Sequence, residues 1–281
     1  MAGVLKLLKN DIDRKSLECM YFSFIRPKLE YASHVWDNCS KRDSTKLENM
    51  QVDIARTITG ARKGTSLNAL YKETNWPSLA ERRQHSKLKQ FAKISNNETP
   101  MYLHSLVTAK VGETRPNSRF ADNFVLPKMR TETYKKSFLP SATAAWNNLS
   151  LENRNLNSIT NLGIFKPKEI YYVGDRLVNI KHAQLRMHCS KLNAHLFSLH
   201  VVVSPSCSCG HDKEDSVHYL LHCPLFYADR AKLLTSLSSI LPYNIVINVD
   251  LLLYGSDTLS KENNVAVFKL VHRFIEETGR L

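Results

Sequence analysis

The chain has 281 residues, 43% of them hydrophobic and 23% charged, with 39 Lys+Arg against 26 Asp+Glu and a formal net charge of +13. That length and apolar content can build a core and exclude a wholly disordered chain. No run approaches the roughly 18 apolar residues of a membrane span. The opening MAGVLKLLKND is too short in apolar residues for a secretory signal, so an intracellular site, nuclear or cytoplasmic, is expected. In that setting six cysteines read as metal ligands or buried thiols, not as a disulfide framework.

In chain order, Leu17, Met20, Tyr21, Phe24 and Ile25 recur with helical spacing, and Pro27 marks a kink or stop. A second helix is predicted from Asp43, with Leu47, Met50, Ile54 and Ile58 as its buried stripe and Gly60 as its end. A third begins at Ser78, where Ser78 and Glu81 form a capping-box pattern, and runs through Leu88, Phe91 and Ala92. Its exposed side is expected to carry Arg82, Arg83, Lys87, Lys89 and Lys93. Tyr71, Trp76 and Phe91 are read as core, with base stacking as the competing reading.

Residues 95–133 are interrupted by Pro100, Pro116 and Pro127 and read as loops and short extended pieces. A short helix after Pro140 places Ala142, Ala145, Trp146 and Leu149 on one face. The Asn-rich stretch from Asn147 to Asn161 is the best boundary, with a linker at 151–163. Residues 176–200 read as helical, with Leu177, Ile180, Leu185, Leu192, Leu196 and Leu199 as apolar candidates. Val201 to Val203 form a β-branched run, and a last helix opens at Asn264 and ends at Gly279. The class is therefore mainly α, with short β pieces.

The positive charge is uneven. Residues 1–163 hold 26 basic and 15 acidic residues, and 164–281 hold 13 and 11. Such an excess points to a polyanionic partner, RNA or DNA above all. The competing reading is a solvated basic surface.

The strongest chemical signal is PSCSCGHDKEDSVHYLLHCP at 205–224, in which Cys207, Cys209, His218 and Cys223 form a C-x-C-x8-H-x4-C array. Three thiolates and an imidazole suit a closed, four-coordinate structural zinc. Gly210 permits the turn between ligands, and Asp212, Glu214 and Asp215 add a favourable field. Only one residue separates Cys207 from Cys209, and His222, at i+4 from His218, is an alternative ligand. The competing reading is three buried cysteines beside a histidine-rich loop. Cys19, Cys39 and Cys189 read as inert core residues, with Cys189 a reserve ligand. No phosphate-binding glycine loop, nucleophile elbow or H-E-x-x-H is present. Phe120-Ala121-Asp122-Asn123 lacks the second aspartate and the partner strand that two-metal nucleotidyl transfer requires.

Three stretches together resemble the region that follows the palm in reverse transcriptases of non-LTR retrotransposons, of the LINE and jockey type. They are FIRPKLEYASHVWDNCS (24–40), LENMQVDIARTITGARKGTSLNALYKETNWPSLAERRQHSKL (47–88) and RTETYKKSFLPSATAAWNNLS (130–150). LRMHCSKLNAHLF, the cysteine–histidine array and the terminal FIEETGR extend the similarity to nearly the whole chain. The resemblance implies a thumb-like helical region over 1–150 and a zinc-containing region over 164–281 that grip template RNA and target DNA. The palm with its catalytic aspartates is not part of the sequence, so the chain is expected to be a noncatalytic nucleic-acid-binding fragment with no small-molecule substrate and no membrane partner. Arg62, Lys63, Arg82, Arg83, Lys87, Lys89 and Lys93 are the expected phosphate contacts. The alternatives are an accessory part of a reverse transcriptase whose palm is supplied elsewhere, or a remnant that survives as a zinc-stabilised protein-interaction module.

Overall fold

A computed structural model describes residues 2–154 and 168–281. Among them the chain is helical almost throughout, and the single β pairing is an isolated antiparallel bridge between Lys110 and Phe124. The run Val201 to Val203 forms bends, with Val203 fully exposed, and builds no strand. Residues 155–163 of the expected linker lie outside the described residues.

Two compact units divide the chain, and neither is a continuous segment. The first combines Met1–Ile25 and Val52–Trp76 with Lys166–Leu281; the second combines Arg26–Gln51 with Pro77–Phe165. Sequence patterning cannot supply this recombination, because apolar periodicity marks a buried face without naming what buries it.

In chain order the helices used below are α1 (Ala2–Leu8), α2 (Arg14–Met20), α3 (Arg26–Glu30), α4 (Ser33–Trp36), α5 (Lys41–Thr59), α6 (Leu67–Thr74), α7 (Leu79–Ser95) and α8 (Phe138–Asn147). Then come α9 (Arg176–Arg186), α10 (Asn193–Ser198), α11 (Tyr227–Ile240), α12 (Val249–Tyr254) and α13 (Lys261–Thr278). Pro27 does not stop the first helical run. A π-helical turn over Tyr21–Ile25 widens the backbone just ahead of it, and Pro27 follows at the second position of α3. Asp13 caps α2 by accepting from Ser16 N–H.

The buried stripe of α5 differs from the expected one. Met50 is exposed, while Gln51, Val52, Ile54, Ala55 and Ile58 are buried. Gly60 ends the helix with φ +70, and a Cβ there would lie 2.4 Å from Ile180 Cγ2, so no other residue fits. The predicted helix over 176–200 is two helices. α9 ends at Arg186, and His188 takes a left-handed conformation before α10 begins. Leu177 is solvent-exposed, and Val178, Leu185 and Leu192 carry the packing.

In the first unit, α13 packs on α11 and α9. Leu185, Tyr219, Leu220, Leu237, Leu252, Phe268, Phe274 and Ile275 are its fully buried centre. Trp76 stacks on Tyr21 at a centroid distance of 4.4 Å, which places it in the core. In the second unit α7 packs against α8 and α4, and Leu88, Phe91, Ala92, Ala142 and Trp146 form its core. The capping box of α7 is complete, with Ser78 Oγ accepting from Glu81 N–H and Glu81 accepting from Ser78 N–H.

Two polar clusters lie inside the first unit. Glu73 accepts from Arg186 at 2.8 and 2.7 Å and from Arg14 at 2.6 Å, and Arg14 also pairs with Glu18 at 2.9 Å, all four side chains being buried. Burial alone would raise the Glu73 carboxyl, but the Arg186 and Arg14 charges outweigh it and hold the group below its ordinary range.

The second cluster is a histidine pair. His182 Nδ1 lies 3.1 Å from His272 Nε2, and His182 Nε2 lies 3.0 Å from the Leu252 carbonyl oxygen. Burial, reinforced by the Arg186 charge, pulls His182 well below its usual value and His272 down to about 4. Because the unfolded chain takes up these protons first, stability is full above the ordinary histidine value and falls as pH drops from there toward about 4. Unfolding by denaturant should therefore require about 2 kcal/mol less at pH 5 than at pH 7 for each such histidine. His272→Gln should flatten the profile over that window; an unchanged profile in this variant would remove the pair as the cause.

Candidate metal centre and basic surfaces

Cys207 and Cys209 lie on a tight loop. Gly210 N–H donates to the Cys207 carbonyl at 3.0 Å, and Cys207 N–H donates to the His211 carbonyl at 2.8 Å. Gly210 has φ +93, a backbone conformation that residues with a Cβ rarely adopt. The other two ligands flank a π-helical turn over His218–His222, after which Cys223 N–H donates to the His218 carbonyl at 2.7 Å. Asp215 accepts from His218 N–H at 3.0 Å and caps the start of this segment.

The four ligand atoms converge within 4.8 Å of one another. Cys207 Sγ is 3.7 Å from Cys223 Sγ, and Cys209 Sγ is 3.3 Å from His218 Nε2. A tetrahedral metal with bonds of about 2.3 Å to sulfur and about 2.0 Å to nitrogen separates its sulfurs by about 3.8 Å and sulfur from nitrogen by about 3.5 Å. The cluster therefore fits one metal ion, and all six cysteines are free of disulfides. The one-residue spacing is no obstacle, since the turn at Gly210 aims both thiols inward.

Electrostatics agree with this reading. Burial pushes the Cys207 thiol up to about 11, whereas the His211 backbone N–H draws Cys209 below its ordinary value. Ionising Cys207 at neutral pH thus calls for a cation beside it. Burial and the neighbouring His211 keep His218 below its usual value, in the neutral form that can ligate.

The surroundings fix the ligands in ways the sequence did not announce. Glu214 is buried and paired with Arg280, whose Nε donates to it at 2.7 Å, and it also accepts from Asn193 N–H at 2.9 Å. Its charge is spent on that pair, which ties the C-terminus to the loop, so it does not act as a free field on the cation. Arg230 donates to the carbonyls of Leu220 at 3.0 Å and Cys223 at 2.7 Å, capping the π-helical turn. His222 is exposed and outside the cluster. Cys189 is buried and also outside it, Cys39 is half-buried, and Cys19 is exposed, contrary to the expected core position.

The expected basic face of α7 is divided. Arg83 donates to Asp37 at 3.0 Å, Lys87 pairs with the same carboxylate, and both cations are buried. Arg82 forms a bidentate pair with Glu30. These three cations are neutralised by carboxylates some 50 positions earlier, on or after α3 and α4, so they are not on the exposed side of the helix. Lys89 is exposed and Lys93 half-buried, and Arg62 and Lys63 follow Gly60, half-buried and exposed respectively. Among the described residues none of these four has a carboxylate within ion-pair distance. No helix of the described residues is long and apolar enough to cross a membrane. Comparison with protein-family models, curated proteins and solved structures finds no match to this chain.

Proposed function

We propose that the chain is a noncatalytic nucleic-acid-binding fragment of the non-LTR reverse-transcriptase type, stabilised by a structural zinc at Cys207, Cys209, His218 and Cys223. The observation that carries the binding reading is the cation excess of residues 1–163, which internal pairing among the described residues does not consume: exposed Lys6, Lys9 and Lys63 have no carboxylate within ion-pair distance. Lysines of this kind contact phosphate oxygens, giving affinity for RNA and DNA alike with little sequence preference. Trp76 and Phe91, buried in the two cores, are not available to stack on bases. Zinc is favoured by the donor set, three sulfurs and one imidazole with no open position, which makes its role structural.

A second reading, an accessory piece whose polymerase palm is supplied elsewhere, is favoured by the exposure of Tyr31 and Val35 on neighbouring turns of one unit. Filter binding of the zinc-loaded chain to labelled RNA and duplex DNA, with unlabelled homopolymers as competitors, tests the main reading. Binding with competitor strengths within about fivefold of one another is expected, with no primer extension on a primed RNA template. Strong preference for one sequence, or extension of the primer, would contradict it.

A further inference from the structure

A groove of about 690 Å³ opens within the first unit, between α1 and the turn after it, the end of α5 and Ile180 of α9. Four of its lining residues are cations, Lys6, Lys9, Arg56 and Lys63, and one is an acid, Asp53. Asp53 lies 3.5 Å from Arg56 and answers a single charge. The three lysines are exposed and have no carboxylate partner among the described residues.

Behind the groove sits Arg176, only 7% exposed. Its Nε donates to the Lys9 carbonyl at 2.9 Å and its Nη2 to the Thr57 carbonyl at 3.2 Å, both belonging to lining residues. Gln184 donates to the Gly60 carbonyl at 2.7 Å. Together these bonds satisfy the carbonyl end of α5, whose partial negative charge would otherwise repel an anion. Arg176 Nη1 and Arg56 Nε are buried without partners. Burial and the Arg14 charge draw the Arg176 guanidinium down to about 10, an effect that Asp13 and Glu18 only partly offset.

The lining holds no aromatic side chain, so the groove offers no platform for bases. Its cations come from chain segments some 50 residues apart and border a volume far larger than one phosphate group needs. We propose that this groove holds the phosphodiester backbone of a nucleic-acid strand, with Lys6, Lys9, Arg56 and Lys63 as its phosphate contacts. The inference rests on the nucleic-acid reading above and gives it a location other than α7.

The test uses the full, metal-loaded chain with a mixed-sequence, fluorescein-labelled 20-nucleotide RNA. Lysine acylation read by mass spectrometry should show Lys6, Lys9 and Lys63 protected by RNA, and Lys89 and Lys93 unprotected. In anisotropy, Lys6→Gln/Lys9→Gln/Lys63→Gln should weaken binding by about tenfold or more, and Lys89→Gln/Lys93→Gln by no more than about threefold. All three substituted groove lysines are exposed, so unchanged thermal unfolding and metal content certify the variant's fold. A groove variant that binds like the parent, with protection at Lys89 and Lys93 instead, overturns the groove and leaves the nucleic-acid reading standing. A parent chain that binds no RNA overturns both, as does one that binds anionic phospholipid vesicles in preference to RNA.

Discussion

Cys223→Ser yields a chain that purifies without a stoichiometric metal ion and has lost the fold around residues 205–224. The expectation follows from what the sulfur does. Cys223 is fully buried, 3.7 Å from the Cys207 sulfur, and its backbone closes the turn that carries His218. With one thiolate gone, three donors remain around a position that water cannot reach well, and affinity collapses. Structural zinc contributes about 10–16 kcal/mol of apparent binding free energy in small modules, and that energy is also folding energy. The segment is poor in alternatives: the loop from Val201 to Asp212 has no regular structure and few buried apolar residues. Elemental analysis of the parent should give one zinc per chain, and a chelator should abolish the near-ultraviolet circular dichroism contributed by Tyr219. Cys19→Ser and Cys39→Ser should leave metal content unchanged, since both lie outside the cluster. A parent chain that folds identically with and without metal would refute the role given to the array.

Glu73→Gln is expected to lower the unfolding free energy by about 3–5 kcal/mol, the typical cost of leaving buried charges without their partner. Glu73 is the one carboxylate that Arg186 pairs with among the described residues, and it also holds Arg14. Arg14 keeps Glu18 after the substitution. Arg186 keeps the rings of Tyr171 and Phe268, whose centroids lie 4.1 and 5.8 Å from its guanidinium carbon, and these contacts recover a small part of the loss. The amide also leaves two like charges facing each other in a medium that screens them poorly. The pairing joins α2, α6 and α9, so the loss should appear as separation of the N-terminal segments from the C-terminal core within the first unit. Denaturant titration followed by tryptophan fluorescence reads it, since Trp76 stacks on Tyr21 in that unit, with Trp36 and Trp146 reporting the other unit. Replacing Arg14, Glu18, Glu73 and Arg186 together by Met, Gln, Leu and Met should restore most of the stability, because the penalty arises from imbalance of charge and not from absence of a pair. A Glu73→Gln chain as stable as the parent would show that the cluster is hydrated in solution.

Where sequence and structure meet, the common element is locality. The capping box at Ser78 and Glu81, the helix ends at Gly60 and Gly279, and the four metal ligands are all defined by residues a few positions apart. What could not be read involves partners distant along the chain. Nothing near Arg83 and Lys87 announces that Asp37 will bury both, so a helix that looks basic on its outer face is largely neutralised. The same holds for Glu214: in the string KEDS it resembles part of an acidic field, yet Arg280 at the far end claims it. The break at His188 carries no glycine or proline, so periodicity ran through it. Lys6, in a seven-residue helix, and Lys9, in the turn after it, carry no local signal of a site, and only folding sets them beside Arg56 and Lys63.

If the chain grips nucleic acid through its phosphates, as proposed, its affinity must fall steeply as salt rises. Anisotropy of labelled RNA with the zinc-loaded chain should give an affinity that falls linearly with log salt between about 50 and 200 mM, with a slope near −2 to −3 for three or four phosphate contacts on a single strand. Absence of binding by a folded, metal-loaded chain, or an affinity that does not change over that range, would contradict the account.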